Sequence, residues 1–234
     1  MSASLARRVV AEFAGTLFLL AAIVGSGIMG ARLAPGNAAL ILLVNSTATG
    51  AALIAIILAF GPVSGAHLNP AVTLADAWQR GLPWRETPAY LLAQFAGAFA
   101  GVAAAHLMFG LPVFAASTHA RAGAAQLFSE FLATFGLMAV IWGCARRRPS
   151  AVPYAVGTYI AAAYWFTSST SFANPAVTLA RSATNTFTGI RPADVPGFLV
   201  AQLAGACAAT LLFQWLTPSL RAAAAAVPVE HSAE

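Results

Sequence analysis

Apolar residues fall in six blocks, at roughly 9–30, 38–60, 88–110, 126–145, 152–168 and 195–216. A helix that crosses a bilayer needs about 20 mostly apolar residues, and the blocks match that length. The fifth is the shortest, and its exit, Tyr164-Trp165-Phe166-Thr167, has the aromatic-polar character of a membrane boundary. Two of the intervening segments, 61–87 and 168–194, are neither long nor apolar enough to cross alone. Each suits a re-entrant half-helix, which lipid tolerates only where protein or a water-filled cavity surrounds it. The pattern predicts an all-α membrane protein with six transmembrane helices and two re-entrant half-helices.

Both half-helix segments carry the same seven residues, Asn-Pro-Ala-Val-Thr-Leu-Ala, at 69–75 and 174–180. Asn is a good N-cap, and proline suits the first helical position, where its missing N–H and fixed φ cost nothing. Two further landmarks recur in the same order. Glu12-Phe13-Ala14-Gly15-Thr16 parallels Glu130-Phe131-Leu132-Ala133-Thr134, and Gln94-Phe95-Ala96-Gly97-Ala98 parallels Gln202-Leu203-Ala204-Gly205-Ala206. Each half holds three spans, an odd number, so the second half enters the membrane from the opposite side. The repeats, about 6–115 and 124–218, are therefore inverted, and their half-helices meet tip to tip. A single domain over 1–218 is expected, followed by a disordered tail over 219–234.

Composition narrows the class. The chain is 59% hydrophobic and 8% charged, where a soluble domain carries about 25% charge. The net charge of +5 comes from twelve arginines against seven acids, with no lysine. These arginines are scattered along the flanks of apolar runs, which reads as membrane topology and not as nucleic-acid binding. With the N-terminus inside, the inner segments hold Arg7, Arg8, Arg80, Arg85, Arg146, Arg147, Arg148 and Arg221. The outer segments keep Arg32, Arg121, Arg181 and Arg191. This bias predicts both termini in the cytoplasm. The first run, 9–31, is too long for a signal-peptide core and is expected to stay as a span. Cys144 and Cys207 lie in separate apolar segments, so neither a disulfide nor a metal site is expected.

Where two helix N-termini meet, positive partial charge concentrates and disfavours cations. Asn69 and Asn174 would cap their helices and offer amide N–H groups to a passing oxygen. Glu12 and Glu130, costly within apolar runs, are expected to accept hydrogen bonds from the non-helical backbone before each half-helix. Gln94 and Gln202 are read as interhelical polar contacts, and Gly97, Gly101, Gly205 and Ala209 as sites of close helix crossing. His67, just before the first motif, reads equally as a loop organiser or a pore-lining residue.

Ser64-Gly65-Ala66-His67-Leu68-Asn69-Pro70-Ala71-Val72-Thr73 closely resembles the first signature of the aquaporin and aquaglyceroporin (major intrinsic protein) family. The resemblance extends over about residues 6–218. It implies the aquaporin fold, with Asn69, Pro70, Ala71 and Asn174, Pro175, Ala176 as the paired pore motifs. It further implies a homotetramer in the lipid bilayer, one passive pore per protomer, and no cofactor. A four-residue selectivity filter is implied as well. The family usually has arginine straight after the second Asn-Pro-Ala, whereas this chain has Val177. The nearest arginine, Arg181, is one turn further on and reads either as a solvated or helix-packing residue or as part of the outer mouth. Thr49 and Ser171 occupy two other filter positions, and the fourth falls on Tyr164 or Ala162. Together these residues imply a wider, less polar and uncharged filter suited to neutral polyhydroxy solutes. Val177 and the run Phe166-Thr167-Ser168-Ser169-Thr170-Ser171-Phe172-Ala173 look most like the bacterial aquaglyceroporins associated with arsenic resistance. The resemblance thus implies a bacterial inner-membrane channel for arsenous acid, its methylated form, glycerol and water. The alternatives are a glycerol and water facilitator with no arsenic role, and an ion-coupled secondary transporter.

Overall fold

The computed structural model describes residues 3–145 and 147–217. The tail expected over 219–234 lies outside them, as do Arg146 and Arg221. The described chain folds into eight α-helices: α1 (Leu5–Leu33), α2 (Ala38–Ser64), α3 (Pro70–Trp78), α4 (Thr87–Met108), α5 (Ala124–Ala145), α6 (Val152–Phe166), α7 (Pro175–Arg181) and α8 (Val195–Leu216). Six are the long helices that the apolar blocks predict, and α3 and α7 are the half-helices.

Side chains that accept from free N–H groups start several helices. Ser4 and Asn37 cap α1 and α2 by accepting from the N–H groups of Arg7 and Leu40. Beyond its expected end near 60, α2 runs through Pro62 to Ser64. Gly65, at φ +88°, then stops it in the left-handed conformation that glycine adopts without steric cost. Five of the six long helices are long and apolar enough to cross a membrane by themselves. The exception is α6, which ends at Phe166 and has 15 residues. At 1.5 Å per residue it covers only about 22 Å, and a 3-10 turn at Pro149–Ala151 leads into it.

Packing follows the internal repeat. Helix α1 lies against α2 and α4, while α5 lies against α6 and α8. A Cβ at Gly97 would overlap the carbonyl of Phe13, and one at Gly205 would overlap the carbonyl of Phe131. The same glycine therefore brings α4 onto α1 and α8 onto α5. Between the halves, Gly50 of α2 and Gly157 of α6 face one another, each where a Cβ would strike the other's carbonyl. Small residues let helix backbones approach this closely in membranes, where packing replaces the hydrophobic effect as the main source of helix association.

Polar and apolar residues are distributed as lipid solvent demands. Phe18, Leu92, Val200 and Trp215 are exposed on the outer faces, while Glu12, Gln94, Glu130, Gln202 and Arg181 are buried inside. Buried polar groups of this kind inside a membrane bundle are costly and mark function.

Candidate functional site

The two half-helices begin in nearly the same backbone conformation. Asn69 has φ −155° and ψ 117°, and Asn174 has φ −157° and ψ 114°. The side-chain oxygen of Asn69 accepts from the N–H of Ala71 at 2.9 Å. That of Asn174 accepts from Ala176 at 2.9 Å and Val177 at 3.2 Å. Pro70 and Pro175 each take the first helical position.

The amide nitrogens cross between halves. Asn69 Nδ2 donates to the carbonyl of Ala173, and Asn174 Nδ2 donates to the carbonyl of Leu68, both at 2.8 Å. An asparagine amide carries two N–H groups, so each residue spends one on the opposite repeat and keeps one for the space beside it. That space is a cavity of about 800 Å³ bordered by both asparagines. The crossed pair escaped the sequence reading because it depends on how the halves dock.

The segment entering each half-helix is strained in matching places. Ala66 and Leu68 have φ of 46° and 53°, and their counterparts Ser171 and Ala173 have 51° and 49°. Non-glycine residues in this region cost roughly 1–3 kcal/mol each. Buried carboxylates hold the strained backbone in place. Glu12 accepts from the N–H of His67 at 2.9 Å and of Leu68 at 2.7 Å, and from the Ser64 hydroxyl at 2.7 Å. Glu130 accepts from the N–H of Phe172 at 2.8 Å and of Ala173 at 2.9 Å. Hydrogen bonds to charged groups contribute roughly 1.5–3 kcal/mol each, enough to offset the strain.

Gln94 and Gln202 extend the network. Gln94 Nε2 donates to Glu12 and to Thr73 Oγ1, both at 2.8 Å. Gln202 Nε2 donates to Glu130 at 2.6 Å and to Thr178 Oγ1 at 2.8 Å. Each glutamine thus ties its carboxylate to the half-helix it supports. Thr73 and Thr178 were missed by the sequence reading, although the signal was present as the fifth residue of the repeated seven.

The two ends of the cavity differ. At one end, the His67 ring lies 3.2 Å from Thr73 Oγ1 and 3.6 Å from Asp76 Oδ2, and it also borders the cavity. His67 therefore combines both readings open in the sequence. At the other end stand Thr49, Tyr164, Ser171 and Val177. The Thr49 hydroxyl lies 3.2 Å from that of Tyr164. Tyr164 is buried and lines the cavity, while Ala162 is exposed and does not.

Arg181 corrects one expectation, that of a solvated residue, while its packing against the segment entering α7 is consistent with the other. It is 1% exposed and borders the cavity. Its Nε donates to the carbonyl of Thr188, and its guanidinium carbon lies 3.4 Å from the centre of the Phe172 ring. A second guanidinium, that of Arg121, lies 5.0 Å from the same ring. Arg121 donates to the carbonyls of Gly189 at 2.8 Å and Ser169 at 3.0 Å, which fastens the loop between α4 and α5 over the segment entering α7. Among the described residues, Cys144 and Cys207 are free thiols.

Comparison with known proteins agrees with this architecture. The model of the family described as "Major intrinsic protein" matches residues 1–170 and 146–233. The chain is 55% identical over 217 residues to aquaglyceroporin AqpS of Rhizobium meliloti (strain 1021), covering 93% of both proteins. It is 43% identical over 152 residues to aquaporin NIP1-4 of Oryza sativa subsp. japonica, covering 62% of this chain and 52% of that protein. In fold it is similar to the X-ray structure of the aquaglyceroporin from Plasmodium falciparum. The TM-score is 0.68 at 21% identity, over 94% of this chain and all of that one. The eight-helix architecture, the family model and the similarity to AqpS along nearly its whole length lead to one assignment: the chain belongs to the major intrinsic protein family.

Proposed function

We propose that this protein is a passive inner-membrane channel that conducts arsenous acid, its methylated trivalent form, glycerol and water. At the coarser level its family is one of membrane channels for small solutes and not of enzymes. The observation that carries the finer reading is the cavity of about 800 Å³ bordered by both asparagines and by Val177, where the family usually places an arginine.

Three features support neutral solutes. Two helix N-termini point their positive ends at the middle of the lumen, which opposes cations. The amide N–H groups that Asn69 and Asn174 keep free suit the oxygen of a hydroxyl. Much of the wall is aliphatic, including Leu19, Ile23, Leu53 and Val177, so an ion would lose its hydration without replacement. Arsenous acid, a small uncharged molecule with three hydroxyls, matches glycerol in these respects. Val177 supports the wider solute class, because valine leaves open the space that an arginine would take.

We assign the filter to Thr49, Tyr164, Ser171 and Val177, and the support of the half-helices to Glu12, Glu130 and His67. One channel domain over 1–218 with both termini in the cytoplasm fits the arginine bias, and a homotetramer in the bilayer fits the exposed apolar faces. No cofactor has a role in this reading. An ion-coupled transporter would need charged groups at the lumen centre. The charged residues that border the cavity, Asp76 and Arg181, each lie seven residues along their half-helices from Asn69 and Asn174, away from the tips that meet.

Proteoliposomes test the reading through stopped-flow swelling with glycerol and uptake of arsenite. Flux down the solute gradient alone, linear in concentration, is expected for both. Dependence on an ion gradient overturns the channel, and glycerol flux with no arsenite flux leaves a glycerol and water facilitator.

A further inference from the structure

Arg181 is costly where it stands. A guanidinium this deeply buried loses most of its hydration, a cost that only good hydrogen bonds and close packing offset. Its contacts are incomplete: Nε reaches the Thr188 carbonyl and the plane stacks on Phe172, but Nη1 has no hydrogen-bond partner among the described residues. The Ser171 hydroxyl, 2% exposed and bordering the same cavity, also lacks a partner there. Two buried polar groups without partners among the described residues therefore belong to side chains that border the same cavity.

Helix geometry explains how Arg181 reaches this place. It follows Val177 by four residues, so the two side chains share a face of α7 one turn apart. Side chains on a helix lean toward its N-terminus and cover the preceding turn. A long side chain at 181 thus reaches back toward the level of Val177. Phe172, which enters α7 on the strained segment held by Glu130, gives the guanidinium a flat surface to rest on.

We propose that Arg181 supplies the fixed cationic donor that Val177 does not, and that with Ser171 it forms a subsite for the hydroxyl oxygens of a passing solute while barring cations. The filter keeps its charge but has it set back by one helical turn, which leaves width at Val177 for larger neutral solutes. This inference rests on the neutral-solute channel proposed above.

The test compares glycerol and methylammonium flux in proteoliposomes at neutral pH. The unaltered channel is expected to pass glycerol and to hold methylammonium at background. Arg181→Met should keep glycerol flux and raise methylammonium flux by about tenfold or more, equivalent to about 1.4 kcal/mol of lost barrier. Adding Val177→Arg to that variant should restore exclusion, which a merely loosened fold would not do. Should Arg181→Met fail to reach the membrane, Arg181→Gln makes the same comparison, because its amide still donates to the Thr188 carbonyl. Methylammonium held at background in the variant with glycerol flux intact overturns the proposal, as does free passage of methylammonium through the unaltered channel. An unaltered channel that passes no neutral solute refutes the channel reading itself, and this proposal with it.

Discussion

Asp76 and Arg181 stand 105 residues apart, each one helical turn beyond the valine that follows its own Asn-Pro-Ala, and both border one cavity. They are equivalent positions of the inverted repeat carrying opposite charge. Their ring neighbours, His67 and Phe172, are equivalent too. Asp76 lies beside an imidazole and Arg181 on a phenyl face. The backbone frame of the lumen is thus nearly symmetric, while the charges at its ends are not. One cavity is thus bordered by an acidic residue from the first repeat and a basic one from the second.

Val177→Arg should narrow the wide mouth, since it adds a second guanidinium one turn from the first. Glycerol and arsenite flux are expected to fall by about tenfold, near 1.4 kcal/mol, with water flux much less affected. Stopped-flow measurement of all three solutes checks this, and equal losses would refute a width-limited filter.

Glu130→Ala should destabilise the protein more than most buried substitutions. It strands the N–H groups of Phe172 and Ala173 and one of the two amide N–H groups of Gln202, each costing roughly 1–3 kcal/mol when left unsatisfied. Thermal unfolding in detergent should show a clearly lowered midpoint, and Gln202→Ala a smaller loss. If Glu130→Ala unfolds like the unaltered protein, the carboxylate does not support α7.

Asn69→Ala and Asn174→Ala should be strongly coupled. Each removes a helix cap, which costs roughly 0.5–2 kcal/mol, and breaks one of the crossed bonds. A double-mutant cycle on stability should give a coupling of roughly 0.5–3 kcal/mol, the range for residues in one network. Strict additivity would mean that the two caps act independently.

Gly50→Ala should force α2 away from α6, because the new methyl would meet the Gly157 carbonyl. Overpacking of this kind costs roughly 1–3 kcal/mol. Reduced yield of folded protein is expected, with Gly157→Ala behaving alike. Normal folding of both would show that the contact has room to spare.

Much of this arrangement was legible in the sequence, and the boundary is instructive. Repeated strings placed Asn69, Asn174, Glu12, Glu130 and the glutamines, because those residues act on backbone near their own repeat. The reach of Arg181 was not legible, since nothing in its spacing says whether a long side chain turns to solvent or back along the helix. Nor was the link from Asn69 to Ala173, which exists only once two separate segments dock. The continuation of α2 past residue 60 was hidden by Pro62, which ordinarily signals a helix end.

The crossed asparagines make the two halves incomplete without each other. Each repeat contributes an amide whose acceptor belongs to the other repeat, and a carbonyl whose donor does likewise. One half alone would begin its helix with an amide that finds nothing to hold. Two identical halves facing in opposite directions would satisfy both at once, so the contact has the logic of a symmetric dimer written into one polypeptide.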